Sequence, residues 1–108
     1  MAKNVPRERK YAMYEAILQL KDVEECCHFF DDLCAVTELR AMEQRFEVAS
    51  MLMENKVYME IMEKSSASSA TISRVNRVLN YGTGCLPEII RRTNEARQKK
   101  NEAADTAE

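Results

Sequence analysis

The chain is poor in residues that interrupt regular structure. It has 2 Gly and 2 Pro in 108 residues, well below the ~7% and ~5% of average usage. Many-stranded sandwiches and barrels need turn residues every ~8–12 positions, so they are excluded. No apolar run approaches the ~18 residues needed to cross a bilayer. The charged opening Met1–Lys10 has no apolar stretch behind it, so neither a membrane span nor a secretory signal is expected. Tryptophan is absent and there is a single histidine, His28. The cysteines Cys26, Cys27, Cys34 and Cys85 form no C-x-x-C pair, so no metal site is assigned. Reduced thiols in a cytoplasmic protein are the simpler account.

What is present is 45% hydrophobic and 31% charged, the composition of a globular helical chain. The net charge of −2 hides its distribution. Residues 11–34 are strongly acidic, whereas residues 69–80 carry Arg74 and Arg77 with no acid, and the stretch 86–101 is also basic. Local basic segments matter more to a polyanion than the total does.

Apolar spacing predicts six helices. The first runs from about Arg7 to Lys21. Asp22, with Glu25 three positions on, starts the second in the manner of a capping box. That helix carries the doublets Cys26-Cys27, Phe29-Phe30 and Leu33-Cys34, wider than one neighbouring helix can cover, which implies a second subunit. Thr37 is the expected N-cap of a long helix to about Glu54, with Leu39, Met42, Phe46, Ala49 and Met53 as its core stripe. Asn55 serves as its stop. A short helix over about Val57–Lys64, with Ile61 inward, is followed by the turn Ser65-Ser66-Ala67-Ser68. Ser68 then caps a helix from Ser69 to about Asn80. Gly82-Thr83-Gly84 breaks the pattern, and Pro87 suits the first turn of the last helix. Residues 1–98 are thus expected to form one domain, with 99–108 a frayed tail that holds no core residue.

The informative stretch is the short helix, turn and helix of about residues 57–80. Ile72, Val75 and Leu79 share one face of the second helix. The opposite face holds Ala70, Ser73, Arg74 and Arg77, with Ser69 at its edge and Ser68 capping the end. Small side chains let a backbone approach the major groove, and arginine reaches base edges or phosphates. The same pattern also fits an ordinary helical hairpin with a polar outer face.

The run Glu60-Ile61 … Ala67-Ser68 … Thr71-Ile72-Ser73-Arg74 follows the helix-turn-helix signature of bacterial repressors. More widely, Tyr14–Leu18, Val23–Cys26, Phe29–Cys34, Glu38-Leu39, Ala41-Met42, Gln44-Arg45 and Ser69–Arg77 resemble the bacterial YerC/YecD family of Trp-repressor-related proteins. The resemblance implies an all-α, six-helix fold and an intertwined homodimer in which the second helix of each helix-turn-helix reads double-stranded DNA. Two positions depart from the general signature. Met62 stands where a small residue is usual, and Ser66 where glycine is usual, at a left-handed position that costs a non-glycine residue ~1–2 kcal/mol.

The resemblance also implies a candidate effector site. The Trp repressor holds its indole between two arginines, and Arg45 and Arg74 stand at the matching places. Arg45 has Ala41, Met42, Val48 and Ala49 at its helical i±3 and i±4 neighbours, so no acid is in register to pair with it. Val75, where the Trp repressor has glycine, would narrow such a pocket. No cofactor is assigned: the favoured alternative is that no effector binds and Arg74 contacts phosphate or a base, and if a small-molecule corepressor does bind, tryptophan is the less expected one.

No constellation of an enzyme is visible. His28 has only its neighbour Cys27, and adjacent residues on a helix do not face each other. Two readings therefore stand: a sequence-specific DNA-binding transcriptional regulator, a repressor by its resemblance, acting as a homodimer; or a helical dimerisation or adaptor module that does not read DNA. The acid-free arginine face favours the first. The modest net charge, Met62 and Ser66 favour the second.

Overall fold

The computed structural model describes residues 7–106. Six helices make up the described chain: α1 (Tyr11–Ile17), α2 (Val23–Leu33), α3 (Val36–Met53), α4 (Tyr58–Ser65), α5 (Ser69–Tyr81) and α6 (Cys85–Thr106). There is no strand among the described residues. None of these helices is long and apolar enough to cross a membrane. The charged opening read at the sequence level lies largely outside the described residues. The chain divides into two compact units, one up to Leu39 and one from Arg40 onward.

In the first unit, α1 is shorter than the periodicity predicts. Lys10 offers it no side-chain cap. Its end tightens through Gln19 N–H to Ala16 C=O (3.0 Å) and Leu20 N–H to Ile17 C=O (3.1 Å), three-residue bonds that close a helix rather than extend it. The start of α2 is as expected: the Asp22 carboxylate accepts from Glu25 N–H at 2.8 Å. Glu25 reaches back one residue further than a standard capping box, accepting from Lys21 N–H at 3.0 Å. Phe29 and Phe30 pack edge to face at 5.3 Å. Despite its apolar doublets α2 buries no residue, and Val23 is 79% exposed.

Helix α3 begins earlier than the Thr37 cap predicts. Glu38 accepts from Ala35 N–H at 2.7 Å, so the carboxylate serves the first free amide and Thr37 falls inside the first turn. The helix ends before Asn55, which takes the expected left-handed conformation (φ 63°).

The core of the second unit is Val48 and Ala49 of α3, Ile61 of α4, Ala67 of the turn, Ile72 and Val75 of α5 and Ile90 of α6, flanked by Met51, Leu52, Leu79 and Leu86. Each fully buried Ile or Val contributes roughly 1.5–3 kcal/mol. Of the stripe expected on α3, Ala49 is buried in this core and the larger members are not. Met42 and Phe46 remain about two-fifths exposed (39% and 41%), and Met53 is exposed as well. The buried face takes in the edge of the predicted stripe at Ala49 and extends from there to Val48. The predicted stripe holds the bulkier side chains, but α4, α5 and α6 pack on the neighbouring side.

At the end of α5, Gly82 N–H donates to Val78 C=O at 2.8 Å, and a Cβ on Gly82 would stand 2.6 Å from that same oxygen. Only glycine fits there. Helix α6 begins two residues before Pro87. It continues through Thr106, beyond the point near Lys99 where fraying is expected. Ala, Glu, Gln, Lys and Arg, all strong helix formers, fill that stretch.

Candidate nucleic-acid interface

Helices α4 and α5 form a helix-turn-helix, joined through Ser66, Ala67 and Ser68. Ser66 adopts the left-handed conformation (φ 61°, ψ 15°), so the turn has the glycine-type geometry and carries its cost. Its surroundings offset that cost. The buried Ser65 hydroxyl donates to Ile61 C=O at 2.6 Å and accepts from Ala67 N–H at 3.1 Å. Ser66 N–H closes α4 on Met62 C=O at 3.0 Å. From α3, the Gln44 side-chain amide donates to Ser65 C=O at 3.1 Å. Met62, where a small residue is usual, is 40% exposed, so its bulk is not wedged inside the core.

Ser68 caps α5 as predicted. Its Oγ accepts from Thr71 N–H at 3.1 Å and donates to Thr71 Oγ1 at 3.1 Å. Ile72 and Val75 point into the core. Ser68, Ser69, Ala70, Ser73, Arg74 and Arg77 are all exposed, so the six residues singled out from the sequence lie together on the outer side of the turn and α5. There is no acid in the first turn of α5. Among the described residues neither arginine is within ion-pair distance of a carboxylate. The ion pairs lie elsewhere, Lys56 and Lys64 with Glu60, Arg91 and Arg92 with Glu88, and Arg91 also with Glu95. Glu60, hydrogen-bonded by Lys64, is held below the usual carboxylate range, and Lys64 is raised in turn.

Arg45 and Arg74 come together at two adjoining clefts between α3 and α5. One, of about 280 Å³, is lined by Ala41, Gln44, Arg45, Ala70, Thr71 and Arg74. The other, of about 270 Å³, is mainly apolar, with Met42, Phe46, Val75, Val78 and Leu86 beside the same two arginines. Val75, the position where the Trp repressor has glycine, lines this second cleft. A wider cleft of about 760 Å³ lies against α3 at Arg40, Glu43, Phe46 and Ser65, with Gln44 on its wall too. Sequence reasoning missed Gln44. Its one visible signal was its place beside Arg45 in the family-like stretch.

The chain matches the family model described as Trp repressor protein over residues 9–94. It belongs to the Trp repressor family. Trp repressor relatives are DNA-binding regulators rather than enzymes, and the chain's similarity to them runs through most of its length. It is 48% identical over 83 residues to the protein YerC of Bacillus subtilis (strain 168), covering 77% of this chain and 80% of that protein. A crystal structure of a TrpR-like protein from Eubacterium eligens superposes with a TM-score of 0.73 at 49% identity, covering 76% of this chain and 84% of that one. A second crystal structure, from Staphylococcus aureus, gives a TM-score of 0.75 at 44% identity, covering 80% and 89% of the two chains. The six-helix Trp-repressor-like fold is therefore the fold of this chain.

Proposed function

We propose that the protein is a cytoplasmic, sequence-specific DNA-binding regulator that represses transcription as an intertwined homodimer. The observation that carries this reading is the outer face of α5, where Ser69, Ala70, Ser73, Arg74 and Arg77 are exposed together without an acid beside the capped end at Ser68. In a helix-turn-helix the N-terminal part of the second helix lies closest to base edges, so Ser69, Ala70 and Ser73 read sequence and Arg77, further along, reaches phosphate. Arg74 stands between the two roles. The amides at the capped end of α5 serve a phosphate oxygen. Two copies related by a two-fold axis require a palindromic site with half-sites about 34–36 Å apart.

The homodimer is supported by the apolar surface each chain leaves uncovered, Val23 and Leu33 on α2 and Met42 and Phe46 on α3. In the dimer, residues 1–98 make up one domain. Fluorescence titration against genomic DNA fragments at two salt concentrations tests the function. Binding that weakens with salt and discriminates between fragments supports it; no binding at low salt leaves the adaptor reading in its place.

The two clefts shared by Arg45 and Arg74 favour a second element, control by a small effector. Two guanidinium groups suit a carboxylate and a flat ring. Val75, at a position where the Trp repressor has glycine, lines the second cleft and leaves less room there, so tryptophan is the less expected of the aromatic or carboxylate effectors.

A further inference from the structure

Gln44 makes a bond unlike any other in the described chain. Every other hydrogen bond there outside the regular helical ladders joins groups no more than seven residues apart, whereas Gln44 Nε2 reaches Ser65 C=O across 21 residues. Ser65 closes α4, where the last carbonyls have no partner within the helix. It is also 8% exposed, so water cannot readily replace the amide. The next residue, Ser66, is left-handed without being glycine, and the residue after that, Ala67, is buried in the core. The turn that aims α5 therefore contains a conformation its own residues disfavour, fixed from outside by one side chain of α3.

We propose that Gln44 is a positioning residue for DNA recognition, setting the direction of α5 by holding the Ser65 carbonyl. This rests on the DNA-binding reading above. Gln44 itself contacts no base; it acts through the turn. The contribution is thus to sequence discrimination more than to general phosphate attraction, because phosphate contacts tolerate a displaced helix better than base contacts do.

The test compares wild type, Gln44→Met, Ser66→Gly and the double variant. Methionine keeps the length of the side chain and removes the donor without adding charge. Two duplexes are used, the one that the wild-type protein enriches from a random-sequence pool and a poly(dI-dC) duplex. Gln44→Met is expected to lose about tenfold on the enriched duplex, the scale of one hydrogen bond, and to keep its affinity and salt slope on poly(dI-dC). In the Ser66→Gly background the turn needs no outside support, so the same substitution is expected to cost no more than about twofold. Equal affinity of wild type and Gln44→Met for the enriched duplex overturns the proposal. So does an equal loss on both duplexes with no rescue by glycine, the behaviour of general destabilisation. If Gln44→Met fails to fold by circular dichroism, Gln44→Glu, the same shape with an acceptor in place of the donor, is measured in the same way. Amide hydrogen exchange of Ser66 and Ala67 in the free protein gives a readout independent of DNA. Faster exchange in the Gln44 variant, reversed by Ser66→Gly, supports the tie, and unchanged exchange overturns it. A wild-type protein that enriches no duplex sinks the DNA reading instead, and the exchange measurement still decides whether Gln44 holds the turn.

Discussion

At Ser65 and Ser66 two neighbouring serines do opposite work. Ser66 carries the backbone cost of the turn, and Ser65 holds the groups that make the turn affordable. Ser65→Ala removes an acceptor from the buried Ala67 N–H, and a buried donor left without a partner costs about 1–3 kcal/mol. Urea unfolding should register that loss with little change in slope. The exposed side of α5 obeys a different rule, because its residues contribute nothing to the core. Arg77→Ala should leave stability unchanged within about 0.5 kcal/mol. It should weaken binding to all DNA sequences and reduce the salt slope by about one unit. Ser73→Phe should instead alter which sequence is preferred, measured by selection from a random pool. If both variants bind as wild type does, α5 is not the recognition helix.

At the scale of an element, α6 shows how a helix with one buried residue holds its form. Glu88 accepts from Arg91 Nη2 at 2.6 Å and from Arg92 Nε at 2.9 Å. The Arg91 hydrogen bond first, then that of Arg92, hold the Glu88 carboxyl down to about 2 from an ordinary 4.5. A depressed carboxyl pKa means that its contribution is complete above the unfolded value and is lost as pH falls through the folded one. The first turns of α6 should therefore be unaffected above about pH 5 and should lose helicity between about 4.5 and 2, followed by the carbon-13 shift of the Glu88 side-chain carboxyl. The group is exposed, so salt should reduce the effect. A midpoint near 4.5 would mean that the arginines do not hold it.

At the scale of the whole molecule, the described residues up to Leu39 include no buried side chain, while Val23, Leu33 and Val36 stand more than half exposed. Contiguous apolar surface of this kind marks an interaction site, which the proposed homodimer would cover. Sedimentation at micromolar concentration should give the mass of two chains, and folding and association should be lost together on dilution. Phe30→Asp should abolish both, because a charge unpaired in the proposed apolar dimer interface is too costly to bury. A folded monomer in either experiment would refute the obligate dimer. The proposed ligand control is tested at this scale too. A carboxylate effector held by Arg45 and Arg74 should raise the melting temperature progressively with its concentration. A thermal-shift screen of amino acids and nucleotides with no response would leave Arg74 to DNA alone.

The number and order of the helices, the Asp22 and Ser68 caps, the stop at Asn55 and the inward and outward faces of α5 were legible in the sequence. Each depends on groups within about four residues of one another, where spacing and side-chain chemistry act directly. The same locality explains the helix-turn-helix, whose six outward residues follow from the register of Ile72 and Val75. The buried side of α3 was legible only in part. Periodicity placed Ala49 inward correctly, but which part of an apolar arc is covered depends on where the other helices pack, and within this chain Val48 is buried beside Ala49 while the bulkier Met42 and Phe46 are not. The meeting of Arg45 with Arg74 at one pair of clefts, and the reach of Gln44 to Ser65, likewise required the tertiary structure. Those groups are more than twenty residues apart in sequence, and only the packing of α4 and α5 against α3 brings each pair to one place.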